Sequence, residues 1–335
     1  MEALASTRSV KFRGEGAIEL ANDHMRVMVV PTRGAKVVSL HDGPRDIEWL
    51  APPLRQWTTP LAGDWLGQDC GGWDECFPNV VAEPHPVTGQ PLDGHGEVWS
   101  RPWSLVDGGQ DEVVTTILGL GMPFRLSRAM SLRANRLTCR YRLENLAHSP
   151  LVVNWLMHVL LDIVPSMKVT LPGGAGIRHD PDTGPFTRVR SPLSVRRHSD
   201  LERLPDIRGP YEKVNLLFDE EPTGAATKWL TAPHAASACL VQRPGGALMV
   251  EVDPMQVPNF GLWINDGGWP EAKPHRNLGV EAALGGFDRL SRAHREGSAI
   301  RLGGYQTKEW SVHLLTLSAD AGREAAHDHR ADGTR

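Results

Sequence analysis

The chain has 335 residues, 40% of them apolar and 23% charged, with a net charge of −4 at pH 7. Those proportions suit a globular protein, and the weak negative charge excludes any electrostatic case for nucleic acid or an anionic membrane as partner. No apolar run approaches the ~18 residues a bilayer span needs, and Met1 to Glu15 carries no apolar signal core.

Strand signals begin early. Ala17–Leu20 and Met25–Val30 flank a hairpin-like turn at Ala21–His24, and Pro31-Thr32-Arg33-Gly34 then breaks the run. Lys36–Leu40 reads as the next strand, ended by His41-Asp42-Gly43-Pro44. Further strand-like runs are Val113–Leu118, Leu126–Leu132, Leu137–Leu143 and Val152–Leu161. More follow at Ala238–Gln242, Ala247–Val252, Phe260–Ile264 and Ser311–Leu317. Helical patterns are few and short, at Asp288–Glu296 and near Ala321–Ala326. Many strands with turn punctuation and little helix predict an all-β antiparallel β-sandwich. One domain is expected over 1–317, with an irregular excursion at 171–222 and a polar, frayed tail at 318–335.

Cys70, Cys76, Cys139 and Cys239 form no dense framework and no Cys-x-x-Cys pair. The expected compartment is therefore the cytoplasm, with reduced thiols. Cys70, Cys76, His85 and His95 match no standard zinc spacing, so neither metal nor cofactor is expected.

Chemistry concentrates between Gly71 and Trp103. The stretch reads Gly71-Gly72-Trp73-Asp74-Glu75-Cys76-Phe77-Pro78-Asn79, then Asp93-Gly94-His95-Gly96-Glu97-Val98-Trp99-Ser100-Arg101-Pro102-Trp103. Tryptophan faces suit sugar rings, and His, Glu and Arg handle protons, hydroxyls and anionic oxygens. A second cluster, Asn277–Asp288, places Glu281 at the end of an apolar run, and His158 stands within the apolar Asn154–Leu161.

The order Gly-Gly, Cys-Phe-Pro, His-Gly, Arg, Trp resembles the aldose 1-epimerase (galactose mutarotase-like) superfamily, which includes the hexose-6-phosphate epimerases. The resemblance spans roughly Ala17 to Leu317. It implies the mutarotase-type sandwich, with Glu281 as general base and His158 as general acid. It implies that His95 and Arg101 bind the sugar. His95 matches well, whereas Arg101 stands two residues beyond the family spacing and matches only across a bulge or loop. Asp74, Glu75 and Asn79 are expected at the substrate; the two acids suit neutral hydroxyls and would repel a phosphate. Trp263 and Trp269 are the expected stacking platforms, whereas Trp155 is expected to pack inward.

The resulting expectation is a carbohydrate isomerase that exchanges α and β anomers, acting on a small sugar, with a homodimer possible. Two alternatives stay open: a non-catalytic carbohydrate-binding protein on the same fold, and an epimerase for a modified sugar.

Overall fold

Alternation of apolar and polar residues builds the second half of the sandwich directly. Phe124–Arg133 and Arg136–Asn145 pair as a ten-on-ten hairpin, each burying every other side chain. Thr307–Leu317 pairs with Arg136–Asn145 and shows the same alternation. The computed structural model describes residues 5–53, 57, 65, 70–172, 175–180, 212–213, 215–270 and 273–328. Among these, two large antiparallel sheets form the molecule.

The nine-stranded sheet runs, in space, Asn215–Leu217, Lys168–Thr170, Ala238–Arg243, Gly246–Val252, Thr307–Leu317, Arg136–Asn145, Phe124–Arg133, Glu112–Leu118, Ser104–Val106. The twelve-stranded sheet begins at its edge with Ser6–Phe12, Glu15–Ala21, Met25–Val30 and Lys36–Asp42. Its centre is Trp73–Cys76, Leu156–Asp162, Arg276–Ala283, Asn259–Asp266 and Ala225–Thr231. Between the sheets lies a core rich in large rings, in which Tyr141 stacks on Trp310 and Trp155 packs edge-on against Trp310. Trp155 does pack inward, with no exposed surface.

The central strands of the larger sheet differ from the rest. Leu156–Asp162 and Arg276–Ala283 are buried on both faces almost throughout. One face meets the core, and the other is covered by loops and carries the polar residues described below.

Three local readings need correction. The run Val152–Leu161 is two strands, Leu151–Val153 and Leu156–Asp162, in different sheets. Asn154 makes the break: its backbone N–H bonds Pro78 O and its side chain bonds Phe287 O. Apolar content alone hides such a bend. The expected helix is present but shorter, at Leu290–Arg295. The tail is not frayed from 318: Ala319–Asp328 is helical, and Ala325 and Ala326 pack on Ala238, Leu240, Ala247 and Met249. Residues 329–335 and most of the 171–222 excursion (181–211) lie outside the described residues.

Candidate active site

Strand alternation decides which side chains reach the pocket. In Trp73–Cys76, Asp74 and Cys76 point to the covered outer face, while Trp73 and Glu75 point into the core. Register then places His158 directly opposite Asp74 on the next strand. Glu281 lies opposite Gly261, and Lys228 opposite Trp263. His95 arrives from a loop that is laced to Phe77 and Val80: Phe77 N–H donates to His95 O, His95 N–H to Val80 O, and Glu97 N–H to Phe77 O. His95 itself has φ +62, and a Cβ on the next residue, Gly96, would fall 2.0 Å from Phe77 O. Only glycine permits that approach.

These residues enclose a cavity of about 150 Å³ lined by Trp65, Val80, Val81, His95, His158, Lys228, Trp263, Trp269, Glu281 and Asp288. His158 Nε2 is 3.7 Å from Glu281 Oε1. Lys228 Nζ bonds Glu281 Oε2 and lies 3.3 Å from Asp288 Oδ1. Gly261 and Gly279 make room for this arrangement, since a Cβ on either would sit within 3 Å of a Glu281 carboxylate oxygen. Trp65 stacks on His95 with ring centroids 4.5 Å apart and lies parallel to Trp269 at 6.3 Å. Trp263 meets Trp269 edge-on at 5.9 Å. Asp74 Oδ2 accepts from Lys36 Nζ at 2.8 Å and from Trp65 Nε1 at 3.2 Å.

Enclosure sets the proton affinities. Burial pushes His158 well below the ordinary imidazole range, and His95, Lys228 and Lys36 push the same way. Burial, then Lys228 and Lys36, takes His95 down to about 3. Burial lifts Glu281 to about 7 against the pull of Lys228, and Asp288 adds to the rise. Burial alone would lower Lys228, but Asp288 and Glu281 outweigh it and keep its ammonium charged.

Of the residues singled out from sequence, His95, His158, Glu281, Trp263 and Trp269 therefore meet in one cavity. Asp74 is one shell out, held by Lys36 and Trp65. Glu75 is not at the pocket. It lies in the core, where Arg128 Nη1 (2.8 Å), Tyr141 OH (2.9 Å), Trp155 Nε1 (2.9 Å) and Trp73 Nε1 (3.2 Å) all donate to it. One step along a strand reverses the side chain, so two adjacent acids cannot share a pocket. Asn79 is buried and ties its own loop, donating to Val81 O and Asp93 O. Arg101 pairs with Glu97 at 3.2 Å, one helical turn's spacing away in sequence, and does not line the cavity. The Cys70/Cys76/His85/His95 grouping also dissolves: His85 Nε2 faces Val152 O and its Nδ1 accepts from Val87 and Thr88 N–H.

Sequence reasoning passed over Lys228, Asp288, Lys36 and Trp65. The signal for Lys228 is its place as the lone charge in the strand Ala225–Thr231.

The family model for aldose 1-epimerase matches residues 16–238. Similar solved structures include a candidate aldose 1-epimerase from Klebsiella pneumoniae (14% identity, TM-score 0.69, covering 96% of this chain and 84% of that one). A galactose mutarotase-like protein from Lactobacillus casei is 13% identical with TM-score 0.65, covering 90% of this chain and 100% of that one. Another from Clostridium acetobutylicum is 10% identical with TM-score 0.64, covering 94% and 99%. At these identities the structural likeness is one of fold. No curated protein matches the chain by sequence.

Proposed function

The chain belongs to the aldose 1-epimerase family, and from that premise we propose that it exchanges the α and β anomers of a reducing sugar by acid–base opening of the ring. The observation that carries this is the facing of His158 Nε2 and Glu281 Oε1 at 3.7 Å on the floor of a tryptophan-walled cavity. An acid and a base on opposite sides of a pyranose would need more room. The chemistry does not ask for it, because the ring oxygen and O1 are both bonded to C1. Two groups a few ångströms apart can serve both oxygens of a sugar seated above them.

In the opening step Glu281 takes the O1 proton, the bond from C1 to the ring oxygen breaks, and His158 supplies the proton that the ring oxygen gains. The aldehyde rotates about C1–C2 and recloses on its other face. The reverse assignment, with the proton on Glu281, serves closure, and burial favours that state. Trp263, Trp269 and Trp65 offer faces for the sugar. Lys228, which lines the cavity, is already matched by Glu281 and Asp288, and Lys36, one shell out, by Asp74. That favours a neutral sugar over a phosphorylated one.

The test is anomer exchange, followed by polarimetry or NMR across a panel of reducing sugars. Glu281→Gln keeps shape and one acceptor but loses the base, so turnover should fall by about 10² or more with little change in sugar affinity. Wild-type protein that binds a sugar without exchanging its anomers would instead be a binding protein on this fold.

A further inference from the structure

Cys76 lies beside His95 and His158, two of the residues that line the cavity: one ligand atom from each, the sulfur and two ring nitrogens, all lie within 4.8 Å of one another. The fold brings them there independently. Cys76 shares the outward face of its strand with Asp74, and the next strand presents His158 opposite Asp74 and Leu156 opposite Cys76. His95 is delivered by the loop bonded to Phe77. Anomer exchange has no use for a thiol at this place, yet Cys76 is fully buried beside both imidazoles. His158 is also buried, and its Nδ1 has no hydrogen-bond partner among the described residues.

We propose that Cys76, His95 and His158 form a three-ligand site for a soft divalent cation of the zinc type, with the fourth position open to the cavity. One thiolate with two imidazoles is a zinc donor set, and tetrahedral binding sets the donors roughly 3.3–3.7 Å apart. Side-chain rotation of about an ångström closes the observed spread to that value. Binding releases the thiol proton to solvent and breaks no other bond. A bound ion holds both imidazoles away from sugar, so zinc acts as a reversible blocker, and ring opening itself proceeds without it. The blocking role rests on the anomer-exchange reading, whereas ion binding does not.

The test uses the full chain, stripped with a chelator and titrated with Co²⁺ and then Zn²⁺. One cobalt per chain should bind with a near-ultraviolet thiolate-to-cobalt charge-transfer band, and zinc should displace it. Cys76→Ser should abolish the band and weaken zinc binding by more than the roughly 10²-fold that losing an outer-shell partner of a ligand costs. Absence of the band in the wild type, or its survival in Cys76→Ser, overturns the site. If circular dichroism shows Cys76→Ser unfolded, His95→Gln decides: weakened zinc binding supports the site, and unchanged affinity overturns it. On the best sugar substrate, zinc should slow anomer exchange and chelator should restore it. A cobalt band in protein that exchanges no sugar would sink the catalytic reading and leave the metal site standing. An active enzyme without the band would do the opposite.

Discussion

At the scale of single residues, the cavity depends on one buried cation. Lys228 stands between Glu281 and Asp288, and each of the three is less than a tenth exposed. Removing it leaves two carboxylates facing each other without a counter-charge. Lys228→Met should therefore lower stability by about 3 kcal/mol or more in urea unfolding. It should also cut turnover more than sugar affinity, because Glu281 loses the group that aims it. Arg101 is the contrasting case. Its partner is Glu97, and both side chains keep more than a fifth of their surface in solvent. Arg101→Ala should shift the KM for sugar by no more than a few fold and stability by about 1 kcal/mol or less. A tenfold loss of affinity would place Arg101 at the sugar after all.

At the scale of elements, the short strand Trp73–Cys76 separates two functions by alternation alone. Asp74 and Cys76 face the residues behind the cavity wall, Asp74 bonded to Trp65 and Cys76 beside His95 and His158, and Glu75 serves the core. Glu75 and Arg128 are both fully buried, and four donors converge on the carboxylate. Glu75→Gln strips the charge that Arg128 needs, so unfolding free energy should drop by about 3–5 kcal/mol. Sugar affinity of the folded fraction should hold at the wild-type value. Loss of affinity with stability intact would mean that the acid works at the sugar. The motif Gly-Gly-Trp-Asp-Glu-Cys-Phe-Pro was legible as important. Its division between pocket and core was not, because no strand pattern can be read from four residues buried on both faces.

At the scale of the whole molecule, the two sheets do different work. The twelve-stranded sheet carries the cavity on its outer face, while the nine-stranded sheet closes the core and receives the C-terminal helix Ala319–Asp328. Ending the chain at Ser318 would uncover Ala238, Leu240, Ala247 and Met249. That should cost about 1–2 kcal/mol, read as a lowered Tm. Anomer exchange below the transition should persist, since the helix covers the sheet that does not bear the cavity.

The sequence by itself determined the fold class and about half of the described strands, from local information: alternation along the chain and turn residues. His158 and Glu281, 123 positions apart, were linked only by the family resemblance. The sequence also pointed to His95, Trp263 and Trp269, which do meet in the cavity. Only the tertiary structure decided that Glu75 belongs to the core, that Asn79 and Arg101 serve their own loops, and that Lys228 and Trp65 belong to the site. The reason is physical. Which face a strand residue takes, and which charge lies opposite it, depends on register with strands far away in the chain. Lys228 and Glu281 are 53 positions apart, and His158 and Asp74 are paired across an intervening stretch that contains the whole Phe124–Asn145 hairpin.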